Sequence, residues 1–240
     1  MVESQAHHLA AAQIDRYLRE RALRHRPGEA KPSAPRPVIT ISRTHGIPAE
    51  EIAQRIGKAL GFDVISREVL EAIARNTQIG DRLITSLDDG SRSTLDAWIA
   101  GWVDYDHPVV DLRNFIHMAR RVIRGFSLHG SAIIIGHGAN FILRGTDAFR
   151  VRLTAPAELR AAALVAAKNK QEGAPPLSLA TARKEIAEHD ARRKDFVQTV
   201  LRANIDDPEA YDIICNLRVI DADAAAGFIT EAYRRLVEGK

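Results

Sequence analysis

The stretch from Val38 to Leu60, VITISRTHGIPAEEIAQRIGKAL, limits what this chain can fold into more than any other. A β-branched run, Val38 to Ile41, stops at a polar turn with a single glycine, Ser42-Arg43-Thr44-His45-Gly46, and an amphipathic helix follows at once. Pro48 suits the first helical position, and Glu50 and Glu51 suit the positive end of the helix dipole. Ile52, Ala53, Ile56, Ala59 and Leu60 recur on one helical face, and Gly61 reads as the stop. Strand, tight turn and helix in this order open an α/β domain. Such a turn aims backbone N–H groups and a helix N-terminus at one spot, where an anion can sit. Any α/β protein can begin a unit in this way, so the pattern speaks for a parallel sheet before it speaks for a phosphate site.

The later pattern repeats the alternation. Phe62 to Ile65 reads as a second strand, with Ser66 able to cap the helix after it. Asp111 to Leu128 is helical by its spacing. Ala132-Ile133-Ile134-Ile135 has no polar alternation, as expected of a central parallel strand covered on both faces, and it ends in Gly136-His137-Gly138-Ala139-Asn140 at the expected ligand edge. Phe149 to Leu153 forms a fourth strand that alternates arginine with apolar residues, and Pro156 opens a helix. Ser178 to about Asn204 is a long helical region whose middle, from His189 to Lys194, concentrates positive charge. Tyr211 to Asn216 is a fifth strand, and Ala222 to Val237 a closing helix. Five strands interleaved with helices predict an α/β three-layer sandwich with a five-stranded parallel sheet.

Residues 1–37 stand apart. Residues 4–26 read as an arginine-rich helical extension and 27–37, PGEAKPSAPRP, as a proline-rich linker, leaving 38–240 as the domain. The segment 76–110 is looser and carries Trp98 and Trp102, and 76–128 reads as a helical insertion. It either covers a substrate, anchors a satellite core or forms a dimer face; a homodimer could use it or the N-terminal helix.

The formal charge is +3, and residues 1–37 hold seven Lys/Arg against four acids, which accounts for all of it. A basic appendage on a neutral globule is more often a solvated helix than a nucleic-acid footprint, so nucleic acid is not the expected partner. Neither a membrane-length apolar run nor a signal-peptide region is visible, and the lone Cys215 excludes an internal disulfide. The expectation is a cytoplasmic protein.

Three segments together resemble the cytidylate kinase-like family of P-loop nucleoside monophosphate kinases. They are ITISRTHGIPAEEIAQRIGKALGFDVISREVL, GHGANFILRGTDAFRVRLTAPAELRAA and DARRKDFVQTVLRANIDDPEAYDIICNL. The resemblance implies transfer of the γ-phosphoryl group of ATP, with Mg²⁺, to a (d)CMP-like nucleoside monophosphate. It gives Ser42, Arg43, Thr44, His45 and Gly46 the phosphate-loop position. Arg192 and Arg193 fall on lid arginines, and Arg160 on the arginine that starts a lid region over 157–207. His137, Asn140, Asp212 and Asn216 fall on polar positions near the nucleotides. Without the resemblance, Arg192 and Arg193 also read as two solvated helix charges.

The chain departs from this pattern at the phosphates. Pro48 replaces the last loop glycine and has no N–H to donate. Depending on register, the lysine of a Walker-type loop falls on Ala49 or Glu50, and its hydroxyl on Glu50 or Glu51. A carboxylate there repels a phosphate by about 1–4 kcal/mol; alternatively, Glu50 or Glu51 ligates Mg²⁺ directly. His137 stands where the family usually has arginine, and Ser66 where it usually has aspartate. These replacements keep open a second function, a catalytically silent relative that binds a nucleotide or a protein partner for regulation.

Overall fold

The computed structural model describes residues 35–75, 83, 110–169 and 176–238, together with 12, 14, 15 and 19. Its frame is one sheet of five parallel strands: β1 (Ile39–Arg43), β2 (Asp63–Ile65), β3 (Ala132–Ile135), β4 (Phe149–Thr154) and β5 (Ile213–Asn216). They lie in the order β2-β3-β1-β4-β5. The register pairs Ile41 with Ile135 on one side and with Val151 on the other, so β1 is central.

Alternation along each strand feeds two cores. Ile39, Ile41, Ile133, Ile135, Val151 and Leu153 point to one face, where α1 (Ala49–Leu60) and α7 (Ala222–Tyr233) cover them. Val38, Ala132 and Ile134 point to the other, against α2 (Arg67–Arg75), α3 (Val110–His129), α4 (Ala139–Ile142) and the C-terminal part of α6 (Leu179–Val200). The three-layer α/β sandwich expected from the sequence is the fold. Cys215 is buried in the first of these cores.

The helix boundaries follow local chemistry. Ser178 caps α6 by accepting a hydrogen bond from the Thr181 amide, and Gly61 ends α1 in the left-handed region at φ 67°. Pro48 precedes α1 as its cap residue, one position earlier than its preference suggests, and Ala49 is the first helical residue. Residues 136–140, read from the sequence as the end of the third strand at the ligand edge, contain the start of the four-residue α4.

The segment expected as a lid, here called the lid, consists of α5 (Ala157–Lys168) and the N-terminal half of α6. Its own core consists of Ala161, Ala182 and Ile186, whereas Val197, Val200 and Leu201 further along α6 join the main core. Helix α6 therefore belongs to both bodies. Of the N-terminal extension, the described residues are helical, and Ile14 is buried in the main core. The proline-rich linker to residue 34 and the Trp98/Trp102 segment, with the dimer face expected of that segment, lie outside the described residues. No helix among the described residues is long and apolar enough to cross a membrane.

Gly57 sits where α1 crosses closest to the strand edge: a Cβ there would meet the Phe62 carbonyl oxygen at 2.8 Å and Val64 Cγ2 at 3.0 Å. Replacing a helical glycine by alanine ordinarily stabilises by about 1 kcal/mol. Here the clash reverses the sign. Gly57→Ala is expected to lower stability by about 1–3 kcal/mol in urea unfolding, and a gain would contradict this packing.

Candidate functional site

The turn between β1 and α1 is held from the lid side. Asp190 of α6 accepts a 2.8 Å hydrogen bond from the His45 amide through Oδ1 and a 2.7 Å bond from Arg160 Nη1 through Oδ2. Arg160 Nη1 also donates to the His45 carbonyl at 2.9 Å, and Arg160 Nε to the Ala155 carbonyl at 2.8 Å. Gly46, at φ +85°, packs on the backbone of Arg160 so closely that a Cβ would lie 3.2 Å from the Arg160 carbonyl oxygen. The Thr44 amide is engaged as well, donating to Leu153 at 3.1 Å. A turn that could cradle an external anion has thus given the His45 amide to an internal carboxylate and the Thr44 amide to the sheet.

Beside this turn, at the carboxyl ends of β1 and β3, lies a cleft of about 490 Å³. The strand order reverses there, which is where open α/β sheets bind ligands. Ser42 and Arg43 line it from β1; Gly136, His137, Gly138 and Asn140 from the end of β3; Arg67 and Glu71 from α2; and His189, Arg192, Arg193 and Phe196 from α6. Gly136 permits the convergence: at φ +82°, a Cβ on it would lie 2.5 Å from Arg43 Nη1. A larger hollow of about 560 Å³ takes no residue from β1 or β3. An adjoining pocket of about 220 Å³ is walled by Arg43, Thr44, Arg152, Asp190 and Arg193.

The cleft is cationic. Burial, then repulsion from Arg67, pushes the Arg43 guanidinium below its ordinary range against the pull of Glu50 and Glu68. Arg193 is lowered to about 10 by burial, with Arg43, Arg152 and Arg67 adding repulsion and Asp190 opposing it. Guanidiniums that destabilise one another's charge stand ready for an anion, and they offer the fork geometry that phosphate oxygens match. Buried Arg152 is fixed by donating to Ser42 Oγ at 2.9 Å. Asn140 is 4% exposed, and its Nδ2 has no hydrogen-bond partner. His137 Nδ1 is likewise buried without a partner, while Nε2 faces Glu71 Oε1 at 3.3 Å. An unpaired buried donor costs about 1–3 kcal/mol unless a ligand accepts from it.

The structure brings together Ser42, Arg43, His137, Asn140, Arg192 and Arg193. Other expected residues lie elsewhere. Arg160 is buried beneath the turn, its guanidinium bound to His45, Ala155 and Asp190, so it positions the turn instead of facing the cleft. Asp212 precedes β5, at the amino edge of the sheet, where it takes a 2.6 Å bond from Arg150. Asn216 does end β5, but on the outermost strand, where it accepts from the Arg218 amide at 3.1 Å. His45 and Gly46 face the lid, and Thr44 faces the smaller pocket.

Most carboxylates near the turn and the cleft are paired with cations. Glu51 lies 2.7 Å from Arg55. Neither Glu50 nor Glu51 joins the one group of three or more candidate metal ligands among the described residues. In and beside the cleft, Glu71 pairs with Arg67 and His137, Asp190 with Arg160 and Arg193, and Asp206 with Lys194.

Sequence reasoning missed Arg67, Arg152, Glu71 and Asp190. Arg152 did carry a signal, because a charged residue inside a parallel strand covered on both faces needs a partner. Arg67 and Glu71 looked like ordinary exposed helix charges, and Asp190 stood inside an arginine run.

A parallel sheet of this order with a cationic cleft at its switch point defines a kinase-like α/β protein. The chain belongs to the cytidylate kinase-like family, whose sequence model matches residues 38–218. In kind it is therefore a nucleotide-binding phosphotransferase. Among solved structures, an uncharacterized protein from Eubacterium ventriosum is similar in fold, with a TM-score of 0.63 and 16% identity over 82% of this chain and 98% of that one. No curated protein matches.

The hydrogen bond from His137, and with it Arg67, holds the Glu71 carboxyl at about 2 despite burial. A depressed folded value stabilises the protein above the unfolded value and loses that contribution as pH falls. The difference in melting temperature between the native protein and Glu71→Gln should therefore shrink between about pH 5 and pH 2. A difference that stays constant would show that Glu71 carries no such linkage.

Proposed function

We propose that the protein transfers the γ-phosphoryl group of ATP to a (d)CMP-like nucleoside monophosphate, gripping the phosphates with Arg43, Arg67, Arg192 and Arg193 in place of the entrance turn. The observation that carries this reading is that these four arginines line one cleft at the switch point, beside the unpaired Nδ2 of Asn140. A phosphate oxygen of the acceptor attacks the γ-phosphorus, the bond to the ADP oxygen breaks, and ADP and a nucleoside diphosphate leave. Such a transition state spreads negative charge over the transferred group, so fixed cations and alignment supply most of the catalysis. Phe196 and Phe141 in the cleft wall offer faces on which a base can stack, and His137 and Asn140 offer it hydrogen bonds. ATP travels as its Mg²⁺ complex, and no side chain here is assigned to the metal.

A second reading has its own observation. Asp190 already takes the His45 amide, and none of the residues lining the cleft is a lysine, which favours a relative that binds a nucleotide without turning it over.

The test is an assay of ADP formation with ATP, Mg²⁺ and CMP, dCMP, UMP, AMP or GMP in turn, together with ligand-induced melting shifts. Turnover should be fastest with CMP or dCMP, and Arg193→Leu should lower kcat by about 10²-fold or more. Melting shifts without ADP formation would leave only the silent binder, and a response to no nucleotide would remove both.

A further inference from the structure

Away from the guanidiniums, the same turn meets the lid through a second cluster. His45 Nε2 lies 3.3 Å from Glu185 Oε1, and the His45 ring stacks on that of His189 with centroids 4.1 Å apart and planes 14° from parallel. One ligand atom from each of His45, Glu185 and His189 falls within 4.8 Å of the other two. None of these contacts is used by the phosphate cleft as described above, although His189 also reaches its wall.

We propose that His45, Glu185 and His189 form a site for a divalent transition-metal ion of the zinc class, which fastens the lid to the turn. Two imidazoles and one carboxylate suit borderline cations that take nitrogen and oxygen ligands at about 2.0–2.2 Å, with water completing the shell. Glu185 and His189 are four residues apart on α6, so they share one helical face. His45 is held independently: its amide donates to Asp190 and its carbonyl accepts from Arg160, which fixes the backbone that carries the ring. Glu185 divides its oxygens. Lys168 Nζ lies nearer Oε2, at 3.0 Å, than Oε1, at 3.3 Å, so Oε2 can keep the lysine while Oε1 turns to the metal. The metal takes the place of the proton between His45 and Glu185, and because an imidazole lone pair lies in the plane of its ring, the His189 ring must turn out of its stack on His45 to bring a nitrogen to the same ion. The site does not depend on the phosphotransfer reading, because it uses none of Arg43, Arg67, Arg192 or Arg193.

The experiment is a titration of the full-length, tag-free, metal-stripped protein with Zn²⁺ alone by calorimetry, repeated with Co²⁺ to read its visible absorption. His189→Phe keeps a ring to stack on His45 but offers no lone pair, and Glu185→Gln keeps a hydrogen-bonding amide without the charge. Circular dichroism melts confirm that both variants fold. The expected result is one ion per chain, a higher melting temperature with Zn²⁺, a Co²⁺ spectrum of low coordination number, and affinity more than about tenfold weaker in each variant. The proposal is overturned by absence of binding to the native protein, or by binding that persists undiminished in both folded variants, which would place the ion at other histidines.

Discussion

The carboxylate of Asp190 decides what the ends of the central strands can do. It accepts from the His45 amide, from Arg160 and, at 3.2 Å, from Arg193. Arg160 is 9% exposed at its side chain and would be a buried, unpaired cation without this partner. The turn that follows β1, the lid helix and the start of α5 are thus tied to one negative charge. In a phosphate-binding turn that place belongs to the ligand. Here it is filled from within, and the helix behind it is preceded by Pro48 and carries Glu50 and Glu51 in its first turn, none of which welcomes an anion.

In the proposed function the displaced role passes to arginines. Arg43 ends β1 and passes over Gly136, while Arg192 and Arg193 come from the lid and Arg67 from the start of α2. Burial, and after it repulsion from neighbouring arginines, lowers the values of Arg43 and Arg193. A doubly charged phosphate group placed among them would relieve that repulsion. Because Arg192 and Arg193 ride on α6, whose C-terminal half is anchored in the main core and whose N-terminal half packs on Ala161 and on the turn through His45, a phosphate grip by these residues would depend on how the lid sits.

The sheet was legible in the sequence because its cause is local. Runs such as Ala132 to Ile135 can be buried on both faces only in a central strand, and Ser178 and Gly61 are placed by backbone chemistry that a few residues determine. The cleft was legible in part, since Arg43, His137 and Asn140 follow strands whose carboxyl ends form the ligand edge. Distance along the chain hid the rest. Arg160 and Asp190 are thirty residues apart, and nothing near either one shows that they meet. Asp212 was misplaced because its neighbours resemble a familiar segment, whereas its position before β5 puts it on the opposite edge, paired with Arg150.

The account stands or falls on where a nucleotide's phosphates rest. A crystal structure with bound ADP answers this directly. The prediction is phosphate oxygens within hydrogen-bonding distance of Arg43 and Arg193, with the His45 amide still donating to Asp190. Phosphates seated in the turn between β1 and α1, with Asp190 displaced, would contradict it.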